Sequence, residues 1–401
     1  AIGGGGRRTT IATSSEQTYT GKQYGESCNR FHVDFAFLSS VIYRIFVARE
    51  QPKKNPYIAG TTRYNMKKIE RVLFVGSKQL GLNCLKTMYS LSKETLVGAV
   101  TFDDSADGRG KLADFKAFCS QHKIPLFVAK NRADAEKIIQ AQRADIGIVV
   151  GWYWLIGNET LNSVPHGLLG IHNSLLPKYR GGSPLIWSII NGEKKVGFSM
   201  FSFTEGMDEG DVWFQYKFEM KPKDDIQSVL EKFDTGAIEL LKKYYKKILS
   251  GELKPKAQKH QEATYCAQRK PEDGRIDWSK PADAIFNFIR AQSQPYPGAF
   301  TTHKNKKLLI WKATLNPETY YGTPGQVARI SPDGVTVICG DSKSITLKEI
   351  EYEGEKMAAN TLIKTINARF HYSQPLTSEI AENLDLPEIK KKLAAYINEA
   401  Q

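Results

Sequence analysis

The chain has 401 residues, 41% hydrophobic and 25% charged, which excludes a mini-protein held by covalent staples and a low-complexity disordered chain, and leaves room for two or three cores. Its net charge of +13 is spread along the sequence, with 9 Lys/Arg against 4 Asp/Glu in residues 1–65 and 21 against 17 in residues 253–401, so it favours solubility without marking a nucleic-acid groove. Five scattered cysteines with no C-x-x-C spacing argue against a disulfide framework, and no zinc or other metal site is expected.

Residues 1–65 differ in character from the rest of the chain: glycines at 3–6, Arg7-Arg8, Ser/Thr clusters and no steady period. They read as an N-terminal extension, disordered or non-native. A cytoplasmic location is expected, with organellar targeting by this segment left open although Glu16, Glu26, Asp34 and Glu50 weaken it. Val33 to Ala48 is the nearest approach to a membrane span, but it is short and contains Asp34 and Arg44, so no membrane partner is expected.

A first domain is expected over residues 66–252. Apolar runs at 71–76, Leu96 to Phe102, Pro125 to Val128 and Asp145 to Gly151 alternate with helix-period stretches at 80–92, 111–122 and 132–142. Runs so continuously apolar predict βαβ units and a parallel, Rossmann-like sheet covered on both faces. Such sheets hold ligands beyond the carboxyl ends of their strands, which directs attention to the segments after Val75, Phe102, Val150 and Ile171.

The segment Gly76-Ser77-Lys78-Gln79-Leu80-Gly81 opens a helix without the glycine spacing of a dinucleotide or phosphate loop. Lys78 is its one candidate for an anion, set against a plain solvated lysine. Gly151-Trp152-Tyr153-Trp154-Leu155 places three aromatics just past a strand, where a flat heteroaromatic ligand or a neighbouring loop would cover them. Gly170-Ile171-His172-Asn173-Ser174-Leu175-Leu176-Pro177 ends a strand in a histidine, then runs through Lys178-Tyr179-Arg180-Gly181 to a helix capped at Ser183-Pro184. A histidine in that position suits proton transfer. Between the strand-like runs Lys195 to Phe203 and Val212 to Met220 lies an acidic turn, Thr204 to Asp211, whose carboxylates either hold His172 or are simply solvated.

Asp224 to Leu249 predicts a long amphipathic helix with a lysine-rich wet face. Residues 253–270 read as a basic linker, residues 271–370 as a domain of short β-branched strands such as Gly334 to Ile338, and residues 371–401 as a helical tail around Pro387.

The pattern His172-x-Ser174-Leu175-Leu176-Pro177-x-x-Arg180-Gly181 followed by Gly206-x-Asp208-x-Gly210-Asp211 resembles the signature of the formyltransferases that use 10-formyltetrahydrofolate. The similarity runs through 69–250. It continues in Arg275 to Trp278, Ile289 to Ala291 and Pro295 to Ala299, which resemble the open, OB-like β-barrel appended in the transfer-RNA and sugar members. The resemblance implies a 10-formyltetrahydrofolate co-substrate, His172 moving a proton and helping to hold the oxyanion, and Asp208 fixing the histidine. It implies a pterin grip by Gly151, Trp152, Tyr153, Trp154 and Leu155, with Ser174, Leu175, Leu176 and Pro177 walling the other side and Lys78, Arg180 and Gly181 meeting the acceptor. Many members carry Asn two residues before the histidine, where this chain has Gly170, so either another N–H replaces that oxyanion donor or the rate is lower; Asn173 is adjacent to His172, but strand alternation would aim it at the opposite face if the segment stays extended.

Pro177 to Trp187 followed by Asn191-Gly192-Glu193 resembles the sugar-acting branch. The expected acceptor is therefore the amine of an amino-sugar nucleotide. Methionyl-tRNA is the alternative, and a folate-binding or hydrolytic relative the second alternative. A homodimer is left open.

Overall fold

A computed structural model describes residues 69–370; the expectations for residues 1–65 and for the 371–401 tail lie outside the described residues. Strand β1 (Val72–Gly76) is buried throughout and feeds helix α1 (Lys78–Ser92); β2 (Leu96–Phe102), α2 (Leu112–His122), β3 (Leu126–Ala129), α3 (Arg132–Ala141) and β4 (Ile146–Val150) repeat the unit. A short helix α4 (Asn158–Asn162) leads into β5 (Leu168–His172), a two-residue strand β6 (Arg180–Gly181), α5 (Pro184–Ile190), and the hairpin β7 (Lys195–Ser202) and β8 (Val212–Glu219). The 24-residue α6 (Ile226–Leu249) closes this half, capped by Asp225, whose carboxylate accepts the Ser228 N–H at 2.9 Å.

The sheet order is β3-β2-β1-β4-β5-β7-β8, parallel through β5 and antiparallel beyond it. Alternation of apolar runs with helices dictates this: strands buried on both faces pack Phe74, Ile148 and Leu169 against one layer of helices and Leu73, Val75 and Val149 against the other. The chain order reverses between β1 and β4, which opens a crevice at their carboxyl ends. There the two strands nearly touch. A Cβ on Gly76 would stand 2.2 Å from the Val150 carbonyl, and Gly151, at φ +67°, leaves the strand in a conformation that favours glycine.

The chain then passes through β9 (Tyr265–Cys266), α7 (Ala282–Gln292) and strands β10 (Ala299–His303), β11 (Lys306–Asn316), β12 (Val327–Ser331), β13 (Gly334–Ile338), β14 (Ser344–Tyr352) and β15 (Glu355–Ala358), ending the described part near α8 (Ala359–Leu362). These build a separate antiparallel sheet in the order β10-β11-β14-β13-β12, with β15 on β14. It has its own core of Trp278, Ile285, Ile289, Val335 and Phe370. Helix α7 packs on α5 and on β11, joining the two halves.

Segment 253–270 is more than a linker. Lys256 pairs with Val212 through two backbone hydrogen bonds of 2.8 Å, and β9 pairs in parallel with β6, so the segment straps the loop beyond β5. Ser183 is also corrected: at φ +52° its side chain caps nothing in α5 but accepts hydrogen bonds from the Gln268 amide at 3.1 Å and the Arg269 N–H at 3.2 Å, tying that loop to the strap.

Candidate active site

The segments after β1, β2, β4 and β5 line one cleft of about 890 Å³, completed by α6 and by Gln294, Pro295 and Tyr296 of the second half. Ser77 fixes its floor, donating from Oγ to the Gly151 carbonyl at 2.5 Å while its N–H donates to the Val150 carbonyl at 3.1 Å.

His172 ends β5, 8% exposed, against the edge of the Phe201 ring. Its Nε2 lies 2.7 Å from the Tyr179 carbonyl, which can only accept, so this nitrogen carries a proton. Nδ1 faces Asp208 Oδ2 at 3.5 Å. A proton taken up at Nδ1 therefore meets a carboxylate, which stabilises the imidazolium.

Asp208 reaches this position from the turn between β7 and β8 with φ +51°, a left-handed conformation that aspartate tolerates. Its Oδ2 accepts the Gly181 N–H at 2.8 Å. Gln258, from the strap and 7% exposed, donates both amide hydrogens inward, to the Asp208 carbonyl at 2.8 Å and the Gly210 carbonyl at 2.6 Å. Its Oε1 accepts from Arg180 Nη2 at 2.8 Å.

Of the remaining expected residues, Gly151, Trp152, Tyr153, Lys78 and Gly181 line the cleft. Trp154 lies behind it, packed on Phe102 and Trp152, and Leu155 is 70% exposed and outside the lining. Ser174, Leu175, Leu176 and Pro177 form the structural turn beneath the cleft and do not line it: Ser174 Oγ donates to the Lys178 carbonyl at 2.6 Å, and the Leu176 N–H donates to Ser199 Oγ at 3.0 Å.

Two residues expected to bind substrate are already committed to the protein. Arg180 is 1% exposed, its guanidinium bonded to Gln258, to the Tyr265 hydroxyl at 3.2 Å and to His260 Nδ1 at 3.3 Å. Lys78 Nζ sits 3.2 Å from Asp104 and 3.1 Å from Asp107. Burial opposes its charge, but Asp107, Tyr153 and Asp104 outweigh that and hold its pKa above the ordinary lysine value. Asp107 is gripped through both oxygens by Arg109, at 3.0 and 2.8 Å, which holds its carboxyl well below the usual range.

Sequence reasoning passed over Gln258, Arg109, Tyr296, Phe203 and Asp234. The Arg109 guanidinium lies 4.8 Å from the Tyr296 ring. Burial lifts the Asp234 carboxyl above its usual range, the Asn83 amide at 2.9 Å tempers the shift and Glu231 adds to it. Burial, with Asp208 adding, pushes the thiol of Cys266 up to about 11, which disfavours the thiolate. Among the described residues no group of three or more His, Cys, Asp or Glu is arranged to hold a metal, and no helix is long and apolar enough to cross a membrane.

Residues 70–244 match the model of the formyl transferase family, and residues 269–367 that of the formyl transferase C-terminal domain. The chain belongs to the formyl transferase family. Among its relatives, the methionyl-tRNA formyltransferase of Caldanaerobacter subterraneus subsp. tengcongensis is 32% identical over 292 residues, covering 71% of this chain and 93% of that one. The bifunctional polymyxin resistance protein ArnA of Wigglesworthia glossinidia brevipalpis is 32% identical over 275 residues, 68% of this chain and 41% of that protein. The N-formyltransferase from Helicobacter canadensis, solved with folinic acid and dTDP-3-aminofucose, shares the fold with a TM-score of 0.56 at 18% identity, over 69% of this chain and 98% of that one. This formyltransferase therefore has a methionyl-tRNA formyltransferase among its relatives and, among structures of the same fold, one solved with an amino-sugar nucleotide.

Proposed function

We propose that this formyltransferase moves a formyl group from 10-formyltetrahydrofolate to the primary amine of a nucleotide-linked amino sugar. His172 Nδ1 takes the proton of the attacking amine and returns it to the folate nitrogen, Asp208 stabilises the intermediate imidazolium, and the rings of Trp152 and Tyr153 receive the pterin.

One observation carries the acceptor. The stretch of α6 that lines the cleft presents Gln227, Glu231 and Asp234, planar amide and carboxylate groups suited to sugar hydroxyls and an approaching amine and unfavourable to a phosphodiester chain. With Lys78 paired to Asp104 and Asp107 and Arg109 gripping Asp107, Lys111 on the loop after β2 is the cation of the lining left for a pyrophosphate; its 3.5 Å ion pair with Asp114 is exposed.

A second reading, formylation of methionyl-tRNA, is favoured by the match to the Caldanaerobacter enzyme over 93% of its length, through both domains. Consumption of 10-formyltetrahydrofolate measured with a panel of amino-sugar nucleotides, with charged initiator tRNA and with no amine decides between them. Turnover with an amino-sugar nucleotide is expected. Turnover with the tRNA alone would select the second reading, and formate release without any amine would make the protein a hydrolase.

A further inference from the structure

Formyl transfer asks for one group that His172 does not supply. As the amine attacks, a C–N bond forms and the carbonyl π pair moves onto the formyl oxygen, while the amine proton passes to His172 Nδ1. The bond from carbon to folate nitrogen then breaks, its electron pair stays on that nitrogen, and the same proton goes there. Between the two events the oxygen carries negative charge, and removal of one donor aimed at such an oxygen typically costs about 10²–10³ in rate.

The obvious donors are already engaged. His172 Nε2 is committed to the Tyr179 carbonyl at 2.7 Å, and Nδ1 is either the lone pair that receives the proton or a protonated nitrogen facing Asp208 at 3.5 Å. The Gly181 N–H goes to Asp208 at 2.8 Å and the Gly182 N–H to the Cys266 carbonyl at 3.0 Å. Two residues before the histidine, a side chain at Gly170 has no room, because a Cβ there would stand 2.6 Å from the Phe203 ring.

Asn173 is differently placed. Strand alternation alone would aim it away from His172. The chain bends instead: β5 ends at His172, the Ser174 N–H donates to the His172 carbonyl at 2.8 Å, and Asn173 lines the same cleft as His172. Its Oδ1 is buried without a hydrogen-bond partner among the described residues. The Asn173 amide makes no hydrogen bond among the described residues, and with Oδ1 its buried end, the Nδ2 donor is the end left to the cleft.

We infer that Asn173 is a catalytic residue, its Nδ2–H donating to the formyl oxygen as that oxygen gains charge. The Phe203 ring, filling the space beside Gly170, closes the alternative position for such a donor. This inference rests on the assignment of His172 as the proton carrier, so the test includes that residue.

The experiment compares the full chain with Asn173→Asp, Asn173→Ala and His172→Ala, using the acceptor that the panel identifies. Both Asn173 variants are expected to lose about 10²–10³ in kcat. Their dissociation constant for 5-formyltetrahydrofolate stays within about threefold of native, and the pH profile of Asn173→Ala keeps its shape because no titrating group is added or removed. Asn173→Asp, nearly the same size as the native side chain, answers the case in which Asn173→Ala fails to fold. A kcat within about threefold of native in Asn173→Asp, with His172→Ala inactive, would overturn the role of Asn173 and leave the site standing. An active His172→Ala would overturn both.

Discussion

The two sides of the cleft are held in place by different means. At the ends of β1 and β4 the backbone positions itself: Gly76 and Gly151 allow the strands to approach, and Ser77 locks the turn with two hydrogen bonds to residues just past and at the end of β4. At the end of β5 the positioning comes from far along the sequence. Gln258, 50 residues beyond Asp208, grips that turn by two carbonyls and neutral Gln258 also receives the buried Arg180 guanidinium. The strand ends of the parallel sheet thus supply the base of the cleft, whereas the proposed proton-transfer pair is held by a strap that the sheet does not provide.

The comparison can be broken most strongly at the pair itself. His172→Ala and Asp208→Ala are expected to lower kcat by about 10³-fold or more while 5-formyltetrahydrofolate still binds within about threefold of native, measured by calorimetric titration. Loss of folate binding in both would mean that the two sides are not independent.

Next in size is the strap. Gln258→Ala removes two donors from the Asp208 turn and the main acceptor of a buried cation, so a loss of about 2 kcal/mol of stability and about tenfold in kcat is expected, read from urea unfolding and steady-state assays. Gln258→Glu returns an acceptor to Arg180 but no donor to the turn. It should recover stability more than kcat, and equal recovery of both would reduce the strap to a purely structural role.

On the other side of the cleft, Trp152→Ala is expected to weaken 5-formyltetrahydrofolate binding about tenfold, near 1.4 kcal/mol, with kcat at saturation little changed. The smallest effect belongs to the α6 wall. Burial raises the Asp234 carboxyl, so the folded state holds that proton more tightly than the unfolded chain, and stability is lost as pH rises through the raised folded value. Asp234→Asn should therefore gain about 1–2 °C in Tm at neutral pH, and the gain should vanish below the ordinary aspartate value of about 3.9. An unchanged difference at both pH values would place the effect elsewhere.

The same division decides what the sequence discloses. The βαβ half was legible because continuous apolar runs, helix periods and turn glycines are local signals, and the segments after β1, β2, β4 and β5 do meet at one cleft. His172 draws attention by its place at a strand end, while its pairing with Asp208 was suggested by the resemblance, since an acidic turn has an ordinary reading. The strap was not legible at all: Gln258 stands in a lysine-rich stretch with no period, and its importance comes from burial and from partners 48 to 78 residues away. The partners of Arg180 and Lys78 were hidden for a related reason. A basic residue near a strand end looks the same in sequence whether it faces a ligand or a partner such as Gln258 or Asp107, and here each is taken by the protein. Asn173, which strand alternation alone would aim at the opposite face, lines the cleft where the chain bends after β5.

The central claim, that His172 and the aromatic loop face one folate site, is tested most directly by a crystal structure with 5-formyltetrahydrofolate bound. The formyl carbon should lie within about 4 Å of the His172 ring, with the pterin against Gly151 to Tyr153. A folate seated outside the cleft, or with its formyl group directed away from His172, would contradict the account.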